Sequence, residues 1–349
     1  MEDRKIRVAI THGDTNGIGY EVILKTFEDP VMLELCTPII YGSPKVAAYH
    51  RKAMDLQTPF TIINSAEEAK EDRLNLLTTF EDEVKVELGQ PTEESAEAAR
   101  KAMQRAKEDM QKGLYDVLVM APVVPNPNPA KDDKALTIML SDVVRIGLVT
   151  AHLPIKEVSQ AITVEKIVDK GTIFHTSLRR DFRISSPRIA VLALNPQPGT
   201  EEEQIIKPAV ETLEKNGIQA FGPYVADEFF GKDMYYDFDG VLAMYDDQGV
   251  VPFKTLSQEY GVKLKAGISA VVVTPDHGPA FDIAGKGEAD PQSMLHAIYT
   301  AIDMFRHRAE YDAPLGNPLP KLYHEKREDG DKARFAIRAK DQFKTPLEK

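Results

Sequence analysis

One cysteine in 349 residues, Cys36, leaves no partner for an internal disulfide and no thiolate cluster for zinc or iron–sulfur. Tryptophan is absent and aromatic residues make up only 7% of the chain, which argues against an aromatic platform for single-stranded nucleic acid or sugar rings. No apolar run approaches the ~18 residues of a membrane span. The opening MEDRKIRVAI places charge where a signal peptide needs its apolar stretch, so a soluble, cytoplasmic protein is expected. Basic charge is in deficit too: 43 Lys and Arg face 55 Asp and Glu, a formal net charge of −12. Capture of nucleic acid or anionic membrane by net charge is thereby disfavoured, and a small-molecule site is the better expectation.

What is present is a succession of short, β-branched apolar runs: residues 6–10, 38–42, 117–123, 146–153, 188–194, 240–245 and 269–274. Between them lie segments of helical period. The clearest runs from Thr92 to Lys112, where Ala96, Ala99, Met103, Ala106 and Met110 recur at steps of three and four, with Pro91 before it and Gly113 after it. Strands buried on both faces and joined by amphipathic helices require crossover connections, hence an α/β fold with a mostly parallel sheet.

Most of the apolar runs end in a cluster of polar, Gly or Pro residues: HGDTNGIG, APVVPNPNP, AHLP, LNPQPG, YDDQG and TPDHG. Ligands of open α/β sheets sit outside the carboxyl ends of strands, so these clusters are expected to converge on one crevice. GDTNGIG at 13–19 has a glycine rhythm but neither the G-x-G-x-x-G order of a dinucleotide turn nor the Lys-Ser/Thr ending of a P-loop. Amides at the helix start behind it remain available, on this reading, to an anion. PNPNPAKDD at 125–133 reads as a Pro-broken linker, and the tail from Lys321, alternating in charge, as a solvated surface. His12 stands at a strand end, facing either the crevice or a turn. His175, His296, His307 and His324 read as surface or packing residues, and Cys36 as packed rather than nucleophilic. No Ser sits in the Gly-flanked elbow of a Ser/His/Asp hydrolase.

The stretch HGPAFDIAGKGEADP, from His277 to Pro291, resembles the adenosine-binding loop of isocitrate and isopropylmalate dehydrogenases. With RVAITHGDTNGIGYE at 7–21, VMAP at 119–122, VTAHLPI at 149–155, LNP at 194–196, GPYVAD at 222–227 and LAMYDDQGVVPFK at 242–254, the chain is similar to the 4-hydroxythreonine-4-phosphate dehydrogenase family. That resemblance implies a three-layer α/β/α fold with two lobes around a cleft, residues 1–140 plus 270–349 forming the first lobe and 141–269 the second. It implies NAD-dependent oxidation and decarboxylation of 4-phosphooxy-L-threonine in vitamin B6 biosynthesis, a divalent metal, and a homodimer whose site is shared between subunits. Carried over by position, His277, Gly278, Ala280 and Asp282 would bind NAD, His152, Gln197 and Asp246 the metal, and Asp247 and Lys254 would serve catalysis.

The same resemblance marks departures. The family's three metal histidines are His152, Gln197 and Asp246 here, a set suited to magnesium or manganese rather than the family's zinc, or to no metal at all. Val272 stands where an Arg is expected, Lys263 where an Asn is, and Thr15, Asn16 and Tyr20 where Pro, Ala and Pro are usual. A Gly-His-Thr-Glu segment expected before residue 137 is missing. A second reading therefore stands beside the first: an inactive or redesigned scaffold of the same fold that still binds a nucleotide.

Overall fold

The computed structural model describes residues 4–80, 84–124, 134–257 and 260–316. The linker at 125–133, the tail from Lys321 and His324 lie outside them. The strands are β1 (Ile6–Thr11), β2 (Cys36–Gly42), β3 (Thr61–Ile63), β4 (Asn75–Thr78), β5 (Val117–Met120), β6 (Leu136–Leu140), β7 (Arg145–Leu148), β8 (Arg188–Leu192), β9 (Gln219–Tyr224), β10 (Gly240–Ala243), β11 (Val262–Ala266) and β12 (Val271–Pro275). The helices are α1 (Gly19–Thr26), α2 (Val31–Leu35), α3 (Pro44–Ala53), α4 (Glu93–Gln111), α5 (Ile155–Ala161), α6 (Val164–Arg180), α7 (Lys207–Lys215), α8 (Ala226–Gly231), α9 (Asp246–Ser257) and α10 (Gln292–Gly316). All seven apolar runs form strands.

The strands join in one sheet of order β3-β4-β2-β1-β5-β12-β11-β6-β7-β10-β8-β9. Because side chains alternate across a strand, its two faces carry separate cores. Val8, Ile10, Val119, Val273, Leu264, Ile138, Val191 and Leu242 share one continuous core that also takes in buried residues of α1, α3, α6, α7 and α10. On the opposite face there are two cores. Ala9, Ile39, Leu118 and Val272 pack with Ala102 and Ala106 of α4, whereas Met139, Ile146, Ala190 and Val241 pack with Phe229 of α8 and Phe253 of α9. Between these two, the matching positions of β11 and β12 are Lys263, Lys265 and Thr274, none of them buried. Helices on both faces make three layers, and the uncovered strip divides one of those faces in two.

Two expectations need correction. The strand-end clusters do not meet at one edge. β11 is antiparallel to both β12 and β6, and β6 is antiparallel to β7, so β7, β10 and β8 run opposite to β1, β5 and β12. The clusters after β1, β5 and β12 therefore lie at one edge of the sheet, and those after β7, β8 and β10 at the other. The buried stripe of α4 is also rotated from the expected one, to Ser95, Ala98, Ala102, Ala106 and Asp109. Polar partners draw it inward: the Tyr41 hydroxyl donates to Asp109 Oδ2 at 3.0 Å, and the Ser95 hydroxyl to Asp14 Oδ2 at 3.1 Å.

Candidate active site

The glycine rhythm after β1 is a packing device. A Cβ on Gly13 would stand 2.4 Å from the Pro122 carbonyl oxygen, on Gly17 2.6 Å from that of Pro279, and on Gly19 2.1 Å from that of His12. These approaches bring the opening motif against the turn after β5 and the loop after β12. The Ile18 amide at the start of α1 donates to the Pro279 carbonyl at 3.0 Å, and Glu21 of the first turn is buried, paired with Lys25 at 2.9 Å. With Pro279 and a carboxylate already there, the anion expected at this helix start has no place. The three departures from the family motif are absorbed structurally. Asn16 bonds Glu87, Gln90 and Thr92, the Thr15 carbonyl meets His50 Nε2 at 2.8 Å, and Tyr20 stacks between His12 and His50 while accepting from the Ser43 amide. His12 is thus fully buried and does not face a crevice.

The loop after β12 borders a cleft of about 280 Å³, floored by Ile18, Ile283 and Ala289 and rimmed by Lys254, Asp276, His277 and Ser293. Asp276 is its centre. Its amide donates to the Gly261 carbonyl at 3.0 Å, and the Ser293 hydroxyl donates to that same carbonyl at 2.9 Å. Its carboxylate, 11% exposed, lies 2.9 Å from Lys263 Nζ and 3.8 Å from Lys254 Nζ. Two cations from α9 and β11 therefore share one anion, and Asp290 is a second acid in the lining of the cleft. Burial, with those two lysines assisting, holds His277 below its ordinary value against the opposing effects of the Gly278 carbonyl and Asp276. Its Nδ1 meets the Gly278 carbonyl, while its Nε2 is shielded and has no protein partner. Ala280, at φ +44°, takes the left-handed backbone that costs an L-residue about 1–2 kcal/mol. Such strain gathers at ligand sites. Nothing lies within 4 Å of the Cβ position on Gly278, and Asp282 is exposed. An unpartnered ring nitrogen beside an open glycine suits the polar edge of a nucleotide.

At the other edge, β7 and β10 are laced together past their ends: the Val149 amide donates to Ala243, and the Thr150 amide and hydroxyl both donate to Met244. Gln248 accepts from the Met244 amide at 2.7 Å and donates to the Ala193 carbonyl at 2.6 Å, fixing the end of β8 as well. This lacing sets His152, at φ +57°, against Asp246, whose carboxylate accepts from the His152 amide and lies 4.0 Å from its Nδ1. The Gln197 loop is held separately by Glu202, which accepts from the amides of Leu194, Asn195 and Gly199 at 2.7–2.9 Å. Burial would raise the Glu202 carboxyl, but those amides outweigh it and leave the group below its ordinary value.

His152 and Asp246 are thus brought together, and among the described residues no hydrogen bond or ion pair joins Gln197 to them. Among the described residues no group of three His, Cys, Asp or Glu side chains is placed to hold a metal. With Asp246 already bonded to an amide and the histidine ring 72% exposed, the donors of one chain do not fit the divalent metal that the resemblance implies. Asp247 is exposed at the start of α9, and Lys254 follows it by seven residues, about 10 Å along the helix axis at 1.5 Å per residue. The two do not share a cleft. Asp276, Lys263 and Ser293 complete the Lys254 cleft and were not among the expected site residues. The Asp-His-Gly cluster signalled the first, but no local pattern signals the others.

The chain matches the family model "Pyridoxal phosphate biosynthetic protein PdxA" over residues 34–126 and 128–301. It is 50% identical to the 4-hydroxythreonine-4-phosphate dehydrogenase of Bacteroides thetaiotaomicron, across 96% of this chain and 98% of that one. That alignment spans 358 positions, more than this chain's length, so the relative carries segments that this chain lacks. A putative D-threonate 4-phosphate dehydrogenase of Oceanobacillus iheyensis is 30% identical over 86% of this chain and 98% of its own. The crystal structure of the Burkholderia phymatum 4-hydroxythreonine-4-phosphate dehydrogenase superposes with a TM-score of 0.69 at 28% identity, over 86% of this chain and 99% of that one. The match along most of the sequence, and the shared three-layer architecture, place this chain in the PdxA family of pyridoxal phosphate biosynthetic proteins.

Proposed function

We propose that this chain is a cytoplasmic NAD-dependent dehydrogenase that oxidises 4-phosphooxy-L-threonine, with loss of carbon dioxide, in vitamin B6 biosynthesis. The observation that carries this reading is the 50% identity to the Bacteroides enzyme over nearly the whole chain. The Asp276 cleft supports it chemically. Lys254 and Lys263, sharing one carboxylate, hold the substrate phosphate by charge-assisted hydrogen bonds. His277 and Asp282 receive the adenosine of NAD, and the turn at Gly278 and Ala280 lets it approach the backbone. When bound, NAD supplies the hydride acceptor.

Asp247 and the His152–Asp246 pair occupy the opposite edge of the sheet, so in this reading they serve the Asp276 cleft of a second copy in a homodimer. An apolar groove of about 500 Å³ between α8 and α9, with Val251 60% exposed beside Asp247, is surface suited to such pairing. NADH formation from 4-phosphooxy-L-threonine, and separately from D-threonate 4-phosphate, tests the reading. Turnover that falls roughly a hundredfold in Lys254→Met is expected; no turnover of either substrate by folded dimer overturns it. The two-ligand arrangement at His152 favours a second reading, nucleotide binding without catalysis, in which calorimetry with NAD shows binding and no substrate is oxidised.

A further inference from the structure

A second cleft, of about 290 Å³, opens one turn further along α10 than Ser293. Phe182, Val262 and Met304 give it an apolar floor. His296, Thr300 and His307 recur at steps of four and seven and so present one stripe of α10 to it. From the facing β6–β7 hairpin comes Arg145. An apolar floor with a few convergent polar groups is the usual make-up of a small-molecule site.

Arg145 is unusual among the cations of this chain. Its guanidinium lies over the Phe182 ring at 4.9 Å, its Nη1 reaches the Asp239 carbonyl only at 3.5 Å, and its Nε is buried without a hydrogen-bond partner. Among the described residues no carboxylate stands within 4.0 Å of it. Burial draws it below its ordinary value, against the pull of Asp239 and Asp142. A partly buried guanidinium without a paired anion is destabilising unless something completes it. The neighbouring acids do not. Asp181 is taken by Arg308 at 2.6 Å, and Asp142 and Asp303 are exposed at the rim. Complementary groups, by contrast, are in place. His307 Nδ1 meets the Asp181 carbonyl at 2.7 Å, which turns its Nε2 outward; the Ser141 hydroxyl accepts from the Val143 and Val144 amides and keeps its proton to give.

We propose that this cleft is a second ligand site, which binds a small organic anion, a carboxylate or phosphate monoester, on the Arg145 guanidinium with Ser141, Thr300 and the two histidines completing its hydrogen bonds. The site is distinct from the Asp276 cleft and needs neither NAD nor turnover, so it stands or falls apart from the dehydrogenase reading. The test is calorimetric titration of the full chain with inorganic phosphate and, separately, malonate at constant ionic strength, with the His296 ring proton followed by NMR. Saturable binding of at least one anion is expected, phosphate or malonate according to which group the site takes, together with a shift of the His296 signal. Arg145→Met weakens it about tenfold or more and Arg145→Lys less, because a lysine lacks the planar fork, while Lys254→Met leaves the anion-induced shift of the His296 signal in place. Should Arg145→Met fail to fold, the paired change His296→Ala with Thr300→Val replaces it and is expected to weaken binding several-fold. No saturable binding of either anion, or a His296 shift lost in Lys254→Met and kept in Arg145→Met, overturns the proposal.

Discussion

Acidification should destabilise this protein through His12. The ring has no solvent exposure, stacks on Tyr20 at 5.1 Å, meets the Phe80 edge at 6.0 Å, and neither nitrogen has a hydrogen-bond partner. Burial holds its pKa at about 4, against an ordinary 6.5. The folded protein therefore keeps His12 neutral where the unfolded chain takes up a proton, so the unfolded state binds more protons and stability falls as pH drops from 6.5 toward 4. At 1.36 kcal/mol per unit the full loss is about 3 kcal/mol, and about 2 kcal/mol of it has gone by pH 5. His50, lowered chiefly by burial, acts in the same direction; Asp14, raised chiefly by burial, acts in the opposite one. Urea unfolding of the wild type and of His12→Phe at pH 7 and pH 5 isolates the histidine, because the other shifted groups, His175 and His277 as well as His50 and Asp14, are common to the two proteins. The variant keeps an aromatic ring in the stack and should lose about 2 kcal/mol less on acidification. Equal losses in the two proteins would refute the assignment, whatever the substitution does to stability at neutral pH.

Gly19→Ala adds a good helix former to α1, yet should destabilise by about 2–3 kcal/mol in thermal or urea unfolding, since the new Cβ would fall 2.1 Å from the His12 carbonyl oxygen. Gly113→Ala, with φ +68° and open space around it, should cost only the backbone strain of about 1–2 kcal/mol; a larger loss than at Gly19 would contradict the packing account. Breaking the buried Asp181–Arg308 pair by Arg308→Met should cost about 3–5 kcal/mol, because Asp181 is 3% exposed and would be left charged with Ser177 as its remaining side-chain partner; a loss below 1 kcal/mol by the same unfolding assay would count against it. Ala280→Gly should raise stability by roughly 0.5–1 kcal/mol by relieving φ +44°, and NAD calorimetry on that variant reads whether the rigid turn also aids binding.

Strand-forming runs were legible where β-branched residues face cores on both sides, as in β1, β5, β8 and β12. Five strands fall outside those runs, β6 (Leu136–Leu140) and four others with identifiable reasons. β11, VKLKA, alternates because its lysines lie on the uncovered strip. β9, QAFGPY, contains the Gly222–Pro223 pair that reads as a turn. β3 and β4 are three and four residues long at the far edge of the sheet. The missed functional groups belong to the same blind spot. Lys263 reaches Asp276 only because β11 pairs with β12, with Lys263 opposite Thr274, and nothing local to either segment states that pairing.

That pairing also decides what one chain can do alone. Strand-end clusters converge only when the strands run the same way, and three successive antiparallel steps, β12 to β11, β11 to β6 and β6 to β7, leave β7 running opposite to β12. α9 spans the gap between edges, carrying Asp246 at one end and Lys254 near the other. The residues that the family motifs gather into one site are therefore sorted by topology into two half-sites of the proposed dimer: a lysine-lined cleft at Asp276 and a His152–Asp246 pair held by backbone lacing. A half-site with two donors is a poor metal centre, and a lysine-lined cleft without an acid of its own beyond Asp276 and Asp290 is a poor proton-transfer site. Each half supplies the kind of group the other lacks. In the homodimer we propose, one edge is set against the other, and that pairing, rather than repair of either edge by substitution, makes these sequence motifs a single catalytic surface.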